Sequence, residues 1–452
     1  MTTRDAAPDP ALAVEQAVSM LQKGDPAGAR EICMRLLAIH PEHVDGLQLI
    51  ALASLRDSRL DEAIVYFNRL LRLRPEPQGY VNLAECCWRT GRLPEALQAV
   101  DAALAISSSM FDGNIVRAAV LHGLGRHEES LAAALEAQRL DPDSHVACAR
   151  VGASMAQMGR LDEAERQFVE ATRLSSSAKP YPGVSFGRAL YDRLAKPRPP
   201  EFVRVLDQGA PAHAGRFVVL ACSDSRYLLK YGFNFVNSFE RNASGGKLLH
   251  LHVVDPERES MAMLERIRKE LRPASLAVTL SESPGGMRDG VRRNVYYSCS
   301  RFLLLPQLLG RYAVPIVCVD IDAIVERSLD DAVDWASSFD VALTRREPLH
   351  SPWLDISAGL VIANSSAPSV SYFERVRSYL LDFMERDAMP WHVDQSALYC
   401  VLRMMGRYDV APQVGWLPQL ARDCVWQMGH SYDRNLLDAR FTRYSSSAGT
   451  GI

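Results

Sequence analysis

Two aspartates stand directly after a short apolar run in the second half of the chain, and their spacing suits metal chemistry. The run covers residues 317–319, and Asp320 and Asp322 follow it with one residue between them. If the strand ends at Asp320, the chain turns and both carboxylates can face one hard cation. Carboxylate oxygens suit Mg²⁺ or Mn²⁺, and such an ion can bridge a diphosphate and offset its charge. The pair therefore predicts a divalent-metal site, with a solvated turn as the alternative.

A second pair of aspartates has the same spacing but a different setting. Asp141 and Asp143 flank Pro142 at a junction between predicted helical repeats. We expect no catalytic role for this pair, because it follows no apolar strand. The context of Asp320 and Asp322, and not the spacing alone, makes them candidates for chemistry.

The segment around the candidate metal pair alternates between predicted strands and helices. Strand-like runs occur at 217–222, 248–254, 275–280, 314–319, 339–344 and 359–363. Helical stretches occur at 227–241, 261–271, 301–309, 370–385 and 394–405. This order predicts an α/β domain over 215–445, with a mostly parallel sheet that binds ligands at the carboxyl ends of its strands. The sequence lacks the glycine-rich phosphate loops of dinucleotide-binding and P-loop proteins.

The first part of the chain repeats itself. A small residue recurs every 33 or 34 positions, at Ala29, Ala63, Ala96, Ser130 and Ala164. Another small residue precedes each of these by twelve positions, at Ala17, Ala51, Ala84, Ala118 and Gly152. Small residues at matched places let two helices approach closely, so each unit is predicted to be a pair of packed helices.

Prolines and glycines mark the boundaries of these units. The prolines stand where units end, because proline cannot continue a helix interior: Pro41, Pro75 and Pro142. The glycines are expected to supply positive φ in the turns: Gly91, Gly125 and Gly159. Residues 10–176 resemble about five tetratricopeptide repeats, which predicts an all-α solenoid. The resemblance implies a groove for a protein partner; packing on the C-terminal domain and self-association are alternatives.

A stretch rich in Ser, Pro and Gly separates the repeats from the α/β domain. Residues 177–214 are therefore predicted to be a linker. One short helix is expected within it, at residues 186–194.

Four stretches of the C-terminal half resemble GT-A-fold glycosyltransferases, especially glycosyltransferase family 8 and its relatives. Besides Asp320-Ile321-Asp322, the likeness rests on residues 297–302, 357–364 and 391–398, in the same order along the chain. It covers roughly residues 215–435. The resemblance implies a GT-A domain that moves a hexose-type sugar from a nucleotide-sugar donor to an acceptor hydroxyl, with Mn²⁺ or Mg²⁺ as cofactor. The implied acceptor is a protein or a glycan.

The same resemblance implies roles for individual residues. Asp320 and Asp322 would hold the metal on the diphosphate of the donor. Residues at the end of the first strand would meet the nucleoside: Ala221, Ser223, Asp224 and Tyr227. An aromatic face stacks on a base, and an acid or a backbone amide reads the edge of the base. Ordinary helix packing is the alternative for Tyr227.

Two further side chains are implied near the donor sugar. Arg301 would stabilise sugar or phosphate through its fork of N–H groups, with Arg293 as the competing candidate and Lys230 as a weaker one. In retaining relatives, the residue that corresponds to Asp394 lies beside the donor sugar. In an inverting enzyme, Asp394 would deprotonate the acceptor hydroxyl. A helix N-cap is the alternative for Asp394, and both roles can hold at once.

A histidine closes the metal shell in the family pattern H-x-x-G-x-x-K-P-W. His430 is the candidate here, although the K-P-W portion is absent from this sequence. His392 and His350 compete with it, and a purely structural histidine is the alternative.

Composition narrows the class of protein. The 452 residues carry a net charge of -3, which gives no electrostatic reason to expect nucleic acid or an anionic membrane as a partner. We expect no signal peptide, and no apolar run approaches the roughly 20 residues of a transmembrane helix. Nine unpatterned cysteines favour reduced, buried thiols and the cytoplasm.

Two other functions compete with the transferase hypothesis. One is an interaction scaffold whose GT-A-like domain binds a nucleotide sugar without catalysis. The other is a nucleotidyltransferase, which is disfavoured because no glycine-rich opening follows the first strand.

Overall fold

The computed structural model describes residues 9–175, 184–196, 206–208, 215–243, 245, 247–273, 275–284, 290–345, 356–386, 392–418, 423–427 and 442–445. The chain divides into two compact units with a boundary near residue 176. Each unit has an apolar core of its own.

The described part of the first unit folds into ten α-helices, which form five consecutive pairs. They are α1 (Pro10–Gln22), α2 (Pro26–Ile39), α3 (Val44–Arg56), α4 (Leu60–Leu73), α5 (Pro77–Arg89), α6 (Leu93–Ile106), α7 (Phe111–Gly123), α8 (His127–Leu140), α9 (His145–Gln157) and α10 (Leu161–Leu174). The prediction of five repeated helix pairs is confirmed.

Small residues hold the two helices of each pair close together. Ala51 in α3 and Ala63 in α4 are fully buried. At the equivalent place in α9, a Cβ added to Gly152 would lie 3.1 Å from the ring of Phe168 in α10. The periodic small residues are therefore contact positions, because a larger side chain there would push the helices apart.

Left-handed residues form the turn inside each helix pair. The predicted glycines have φ values of 77° at Gly91, 75° at Gly125 and 73° at Gly159. Gly24 has a φ of 78° at the matching place of the first pair. In the second pair this place is taken by Ser58 with a φ of 56°. The turn geometry is thus kept even where the sequence supplies no glycine.

The second unit is an α/β domain. Its described elements are α11 (Arg188–Leu194), β1 (Leu206–Gln208), β2 (Val218–Asp224), α12 (Ser225–Tyr227), a π-helical turn (Leu228–Gly232), α13 (Phe233–Asn242), β3 (Leu248–Val254), α14 (Arg258–Glu270), β4 (Leu276–Ser281), α15 (Gly290–Tyr312), β5 (Ile316–Asp320), β6 (Ala323–Val325), α16 (Asp330–Ala336), β7 (Val341–Arg345), β8 (Ile356–Ala363), α17 (Ala367–Glu385), α18 (Val393–Tyr408), β9 (Val414–Trp416) and β10 (Val425–Gln427). None of the described helices is both long enough and apolar enough to cross a membrane.

Eight of the described strands form one mixed sheet, in the order β1-β4-β3-β2-β5-β8-β7-β9. Strands β4, β3, β2 and β5 are mutually parallel. The prediction of a mostly parallel sheet is confirmed in part: β9 is also parallel to its neighbour β7, whereas β8 runs antiparallel to both β5 and β7, and β1 runs antiparallel to β4. The remaining described strands, β6 and β10, form a separate antiparallel pair.

Part of the predicted linker is built into the second unit. Phe186, Leu190 and Leu194 on and before α11 are buried. The Tyr191 hydroxyl donates to Asp409 Oδ2 at 2.9 Å. Strand β1 pairs antiparallel with β4 at one side of the sheet. The short predicted helix is confirmed, and it packs on the α/β domain.

All nine cysteines of the chain lie in the described residues, where they are buried and free of disulfides. The prediction that the cysteines are buried is confirmed.

Candidate functional site

A cavity of about 270 Å³ opens at the carboxyl ends of β2 and β5. These two strands are parallel neighbours, and Cys222 of β2 lies beside Asp320 of β5. Most of the predicted site residues line this cavity, although they come from four separate parts of the chain: Ser223, Asp224, Tyr227, Arg301, Asp320, Asp322 and Asp394. The described structure thus brings these seven residues together.

Two of the predicted site residues do not line the cavity in the described structure. Ala221 is buried within β2, one residue before the cavity wall begins. His430 lies outside the described residues, as does its competitor His350. The other competitor, His392, does line the cavity.

Asp320 and Asp322 leave the end of β5 on a tight turn. Ile321 between them is buried in the apolar core and fixes this turn. Burial raises the pKa of the Asp322 carboxyl to about 7, and the nearby charge of Asp320 contributes in the same direction. Two carboxylates held this way repel each other in the absence of a cation. Closely spaced carboxylate oxygens of this kind fit Mg²⁺ or Mn²⁺.

The described residues supply only part of a metal shell. They contain no group of three or more His, Cys, Asp or Glu side chains placed to hold an ion. Asp320 and Asp322 would therefore hold a divalent cation together with oxygens from a bound ligand. A cation that keeps open positions for a phosphate is typical of Mg²⁺ sites.

Arg301 is the buried cation of the cavity. It lies in α15 with 4% of its side chain exposed, and its guanidinium forms an ion pair with Asp320. A second nitrogen, Nη2, lies 3.4 Å from Asp394 Oδ2. Burial opposes the charged form, but Asp320 and Asp394 outweigh it and raise the pKa of Arg301 above its ordinary value. Nε of Arg301 has no hydrogen-bond partner among the described residues.

Asp394 lies in the first turn of α18, and the N-cap prediction for it is wrong. His392 takes the N-cap position with a φ of 69°. Asp394 Oδ1 accepts a hydrogen bond from Gln395 N at 2.9 Å, and Oδ2 faces Arg301. Both oxygens are therefore engaged. The neighbouring Gln395 is 6% exposed, and its Oε1 has no hydrogen-bond partner within the described structure.

Asp224 and Tyr227 form the wall at the end of β2. Asp224 Oδ1 accepts from Tyr227 N at 2.8 Å and so caps the helical stretch that begins at Ser225. Its other oxygen lies 3.1 Å from Arg226 Nε. The Tyr227 ring lines the cavity and is 44% exposed. Tyr227 therefore keeps a free aromatic surface, although it also contacts Tyr231.

Arg293 and Lys230 are placed differently from Arg301. Arg293 Nε donates to the hydroxyl of Tyr297, whose hydroxyl in turn donates to Asp255 Oδ2 at 3.1 Å. Lys230 Nζ lies over the Tyr231 ring, 4.8 Å from its centroid. Neither residue lines the cavity. Arg301 is therefore the better placed of the three cations.

Several cavity residues had no assigned role in the sequence. They are Cys222, Asn294, Tyr297, Ser298, Ile321, Ser357, Ala358, Gly359 and Gln395. The stretches 297–302, 357–364 and 391–398 contain most of them, so the family resemblance was the signal that could have found them. Asn294, which accepts from Arg226 Nη2 at 2.7 Å, lies outside these stretches.

Comparison with known families identifies part of the first unit. Residues 49–111 match the family model of the tetratricopeptide repeat. The helix pairs of the first unit are thus tetratricopeptide repeats, as the spacing predicted. No curated protein matches the chain.

Solved structures similar to the chain include repeat proteins. MamA 41-end from Desulfovibrio magneticus RS-1 is 18% identical, with a TM-score of 0.35 over 37% of this chain and 97% of that one. TTC0263, a thermophilic TPR protein of Thermus thermophilus, is 21% identical, with a TM-score of 0.32 over 38% and 93% of the two chains. YrrB, a TPR protein described with an unusual peptide-binding site, is 14% identical, with a TM-score of 0.33 over 38% and 95%.

Proposed function

We propose that the chain is a metal-dependent glycosyltransferase of the GT-A type that uses a nucleotide-sugar donor. The observation that carries this proposal is the cavity at the carboxyl ends of β2 and β5. It is lined at once by an exposed aromatic ring, a carboxylate pair and a buried arginine: Tyr227, Asp320, Asp322 and Arg301. An aromatic ring can stack on a base, a metal ion held by carboxylates can neutralise a diphosphate, and an arginine can donate hydrogen bonds to phosphate or sugar oxygens.

Each wall of the cavity supports one part of the donor. The exposed face of Tyr227 is available to stack on the base, while Asp224 fixes the backbone beneath it. Asp320 and Asp322 would hold Mn²⁺ or Mg²⁺, which supplies charge neutralisation for a diphosphate leaving group. Arg301 presents N–H groups that match phosphate or sugar oxygens. The donor is thus oriented along the cavity from Tyr227 towards Asp394.

The transfer breaks the bond between the anomeric carbon and the diphosphate oxygen. A new bond forms from the same carbon to the acceptor oxygen, and the proton of the acceptor hydroxyl passes to the departing diphosphate or to solvent. Asp394 is engaged by Gln395 N and by Arg301, so we assign it to positioning of the donor sugar and not to proton abstraction. Gln395 Oε1 is buried and available to accept from a sugar hydroxyl.

The tetratricopeptide repeats are proposed to recruit the acceptor or a partner protein. Arrays of this kind present extended surfaces to peptides and helices. A protein acceptor fits this arrangement, and a glycan acceptor is the second option.

The proposal is tested by donor turnover with the purified full chain. We expect one of the common UDP-, GDP- or dTDP-sugars to release its nucleoside diphosphate only when Mn²⁺ is present. The variant Asp320→Asn/Asp322→Asn should lose this turnover. Asp141→Asn/Asp143→Asn is a matched control, because it makes the same charge change at the same spacing in an exposed junction of the repeats.

Two results would count against the assignment of the chain as an enzyme. Absence of metal-dependent turnover with every donor would remove the transferase assignment. Donor binding without turnover would instead support the alternative, a repeat-based scaffold with a non-catalytic nucleotide-sugar domain.

A further inference from the structure

We propose that Arg301 is a built-in competitor of the metal, which holds Asp320 until a donor diphosphate enters the cavity together with the cation. This inference rests on the proposed function and concerns regulation of the same site. It assigns Arg301 a role in metal entry in addition to any contact with the donor.

Arg301 bridges two carboxylates of the cavity. Its guanidinium pairs with Asp320 at the end of β5 and lies 3.4 Å from Asp394 in α18. Asp320 therefore has a positive partner on the side of the cavity that faces α15. Asp322 has no such ion pair among the described residues. The two carboxylates expected to share a cation are thus unequally available.

A cation that binds Asp320 must displace or sit beside this guanidinium. The site is partly buried, since the Asp320 side chain is 34% exposed and Arg301 only 4%. Like charges repel more strongly in such a place than in water. Binding of a bare metal ion is therefore opposed until Arg301 finds another anionic partner.

A diphosphate supplies that partner. Phosphate oxygens accept two parallel N–H groups from arginine, as a carboxylate does. Arg301 already has a second anchor at Asp394 and an Nε without a partner in the described structure, so it can exchange Asp320 for phosphate without leaving its buried position. The metal and the diphosphate then favour each other's binding, and this coupling is reciprocal.

The test measures Mn²⁺ binding to the full chain by titration calorimetry at fixed pH, without nucleotide and then with UDP, GDP or dTDP. Arg301→Gln should bind Mn²⁺ alone about tenfold more tightly than the original chain, the usual scale of a charge-assisted hydrogen bond. The increase in Mn²⁺ affinity caused by the nucleotide should be smaller in this variant. Donor turnover should fall at the same time, which a general gain in metal affinity would not produce.

Arg293→Gln is the matched control for charge. Arg293 lies in the same helix, carries the same charge and pairs with Tyr297 rather than with Asp320. Its removal should leave the Mn²⁺ affinity within about twofold. Equal tightening in both variants would overturn the proposal, since the effect would then be long-range electrostatics.

If Arg301→Gln fails to fold, Arg301→Lys replaces it; the compact ammonium lacks the planar fork with which the guanidinium reaches two carboxylates, so Mn²⁺ alone should still bind more tightly, and unchanged affinity would reject the idea. If no variant and no nucleotide gives Mn²⁺ binding, the metal site of the proposed function itself has failed. That result differs from equal binding in all variants, which rejects only the competition.

Discussion

The guanidinium of Arg301 lies 3.4 Å from the carboxylate of Asp394, although 93 positions separate the two residues in the chain. The same guanidinium pairs with Asp320 at the end of β5. Three elements, α15, β5 and α18, must therefore be in place before this charge arrangement exists. The site is a property of the folded α/β domain and of no single motif.

The first prediction is that the carboxylate pair destabilises the metal-free protein. We expect Asp322→Asn to abolish Mn²⁺ binding and yet to raise the melting temperature of the metal-free protein. The reason is that burial and the charge of Asp320 disfavour the ionised form of Asp322, which the raised pKa of about 7 reflects. Thermal unfolding in EDTA measures the gain, and Asp143→Asn is the matched control that should change neither property.

The second prediction is a pH dependence of metal binding. Asp322 has a pKa raised from 3.8 to about 7 in the folded protein, so below pH 7 it holds a proton that a metal must displace. Mn²⁺ affinity should rise by up to about tenfold per pH unit below 7 and level off above it. Calorimetry from about pH 5.5 to about pH 8.5 checks this, and a flat profile would contradict it.

The raised pKa of Asp322 also determines how the stability of the folded protein changes with pH. The unfolded chain releases the Asp322 proton near pH 4, whereas the folded chain keeps it up to about pH 7. The stability contributed by this group is therefore complete below about pH 4 and is lost as the pH rises through 7. In EDTA, the melting temperature of Asp322→Asn should lack this decline.

The third prediction tests the nucleoside wall. Tyr227→Ala should weaken donor binding by about tenfold or more, because stacking of a base on an aromatic ring contributes roughly 1–3 kcal/mol. The ring is 44% exposed, so folding should be little affected. Tyr227→Phe keeps the aromatic face and should bind nearly as well; a large loss in Tyr227→Phe would shift the role to the hydroxyl.

The fourth prediction concerns the repeats. Ser58 adopts a φ of 56° where the other helix pairs have glycine. Ser58→Gly should stabilise the protein by about 0.5–1 kcal/mol, because the left-handed backbone penalises a Cβ. Gly125→Ser is the reverse change at a place where an added Cβ would meet no atom within 4 Å, so it should destabilise through the backbone alone. Denaturant unfolding of both variants gives the comparison.

The sequence predicted the strands of the α/β domain well where they are long and buried. The run at 248–254 has the bounds of β3, and the run at 359–363 lies within β8. The three-residue strands β1, β6, β9 and β10 were missed, because three residues are too few to show a period. The helix expected at 301–309 is part of the longer α15, whose first half contains a glycine, two valines and two tyrosines, all weaker helix formers than alanine or leucine.

The site was predictable only in part, and for a physical reason. Asp320 and Asp322 could be found because an apolar strand precedes them. The ion pair of Arg301 with Asp320 depends on which face of α15 turns towards β5, and one sequence does not specify that rotation. The left-handed backbone of His392 at the N-cap of α18 likewise could not be read from the sequence, since only a few per cent of non-glycine residues adopt positive φ, even though histidine does so more often than most.

Strand β1 has a consequence for the solution behaviour of the α/β domain. Residues 206–208 pair with Leu280, Thr279 and Val278 of β4, on the side of β4 that faces away from β3. In a chain shortened to begin at residue 215, the backbone N–H and C=O groups on this side of β4 would have no strand to pair with. Uncovered strand edges recruit the edges of other molecules. Such a shortened chain should therefore self-associate into aggregates, whereas one that begins before Phe186 keeps its own edge capped.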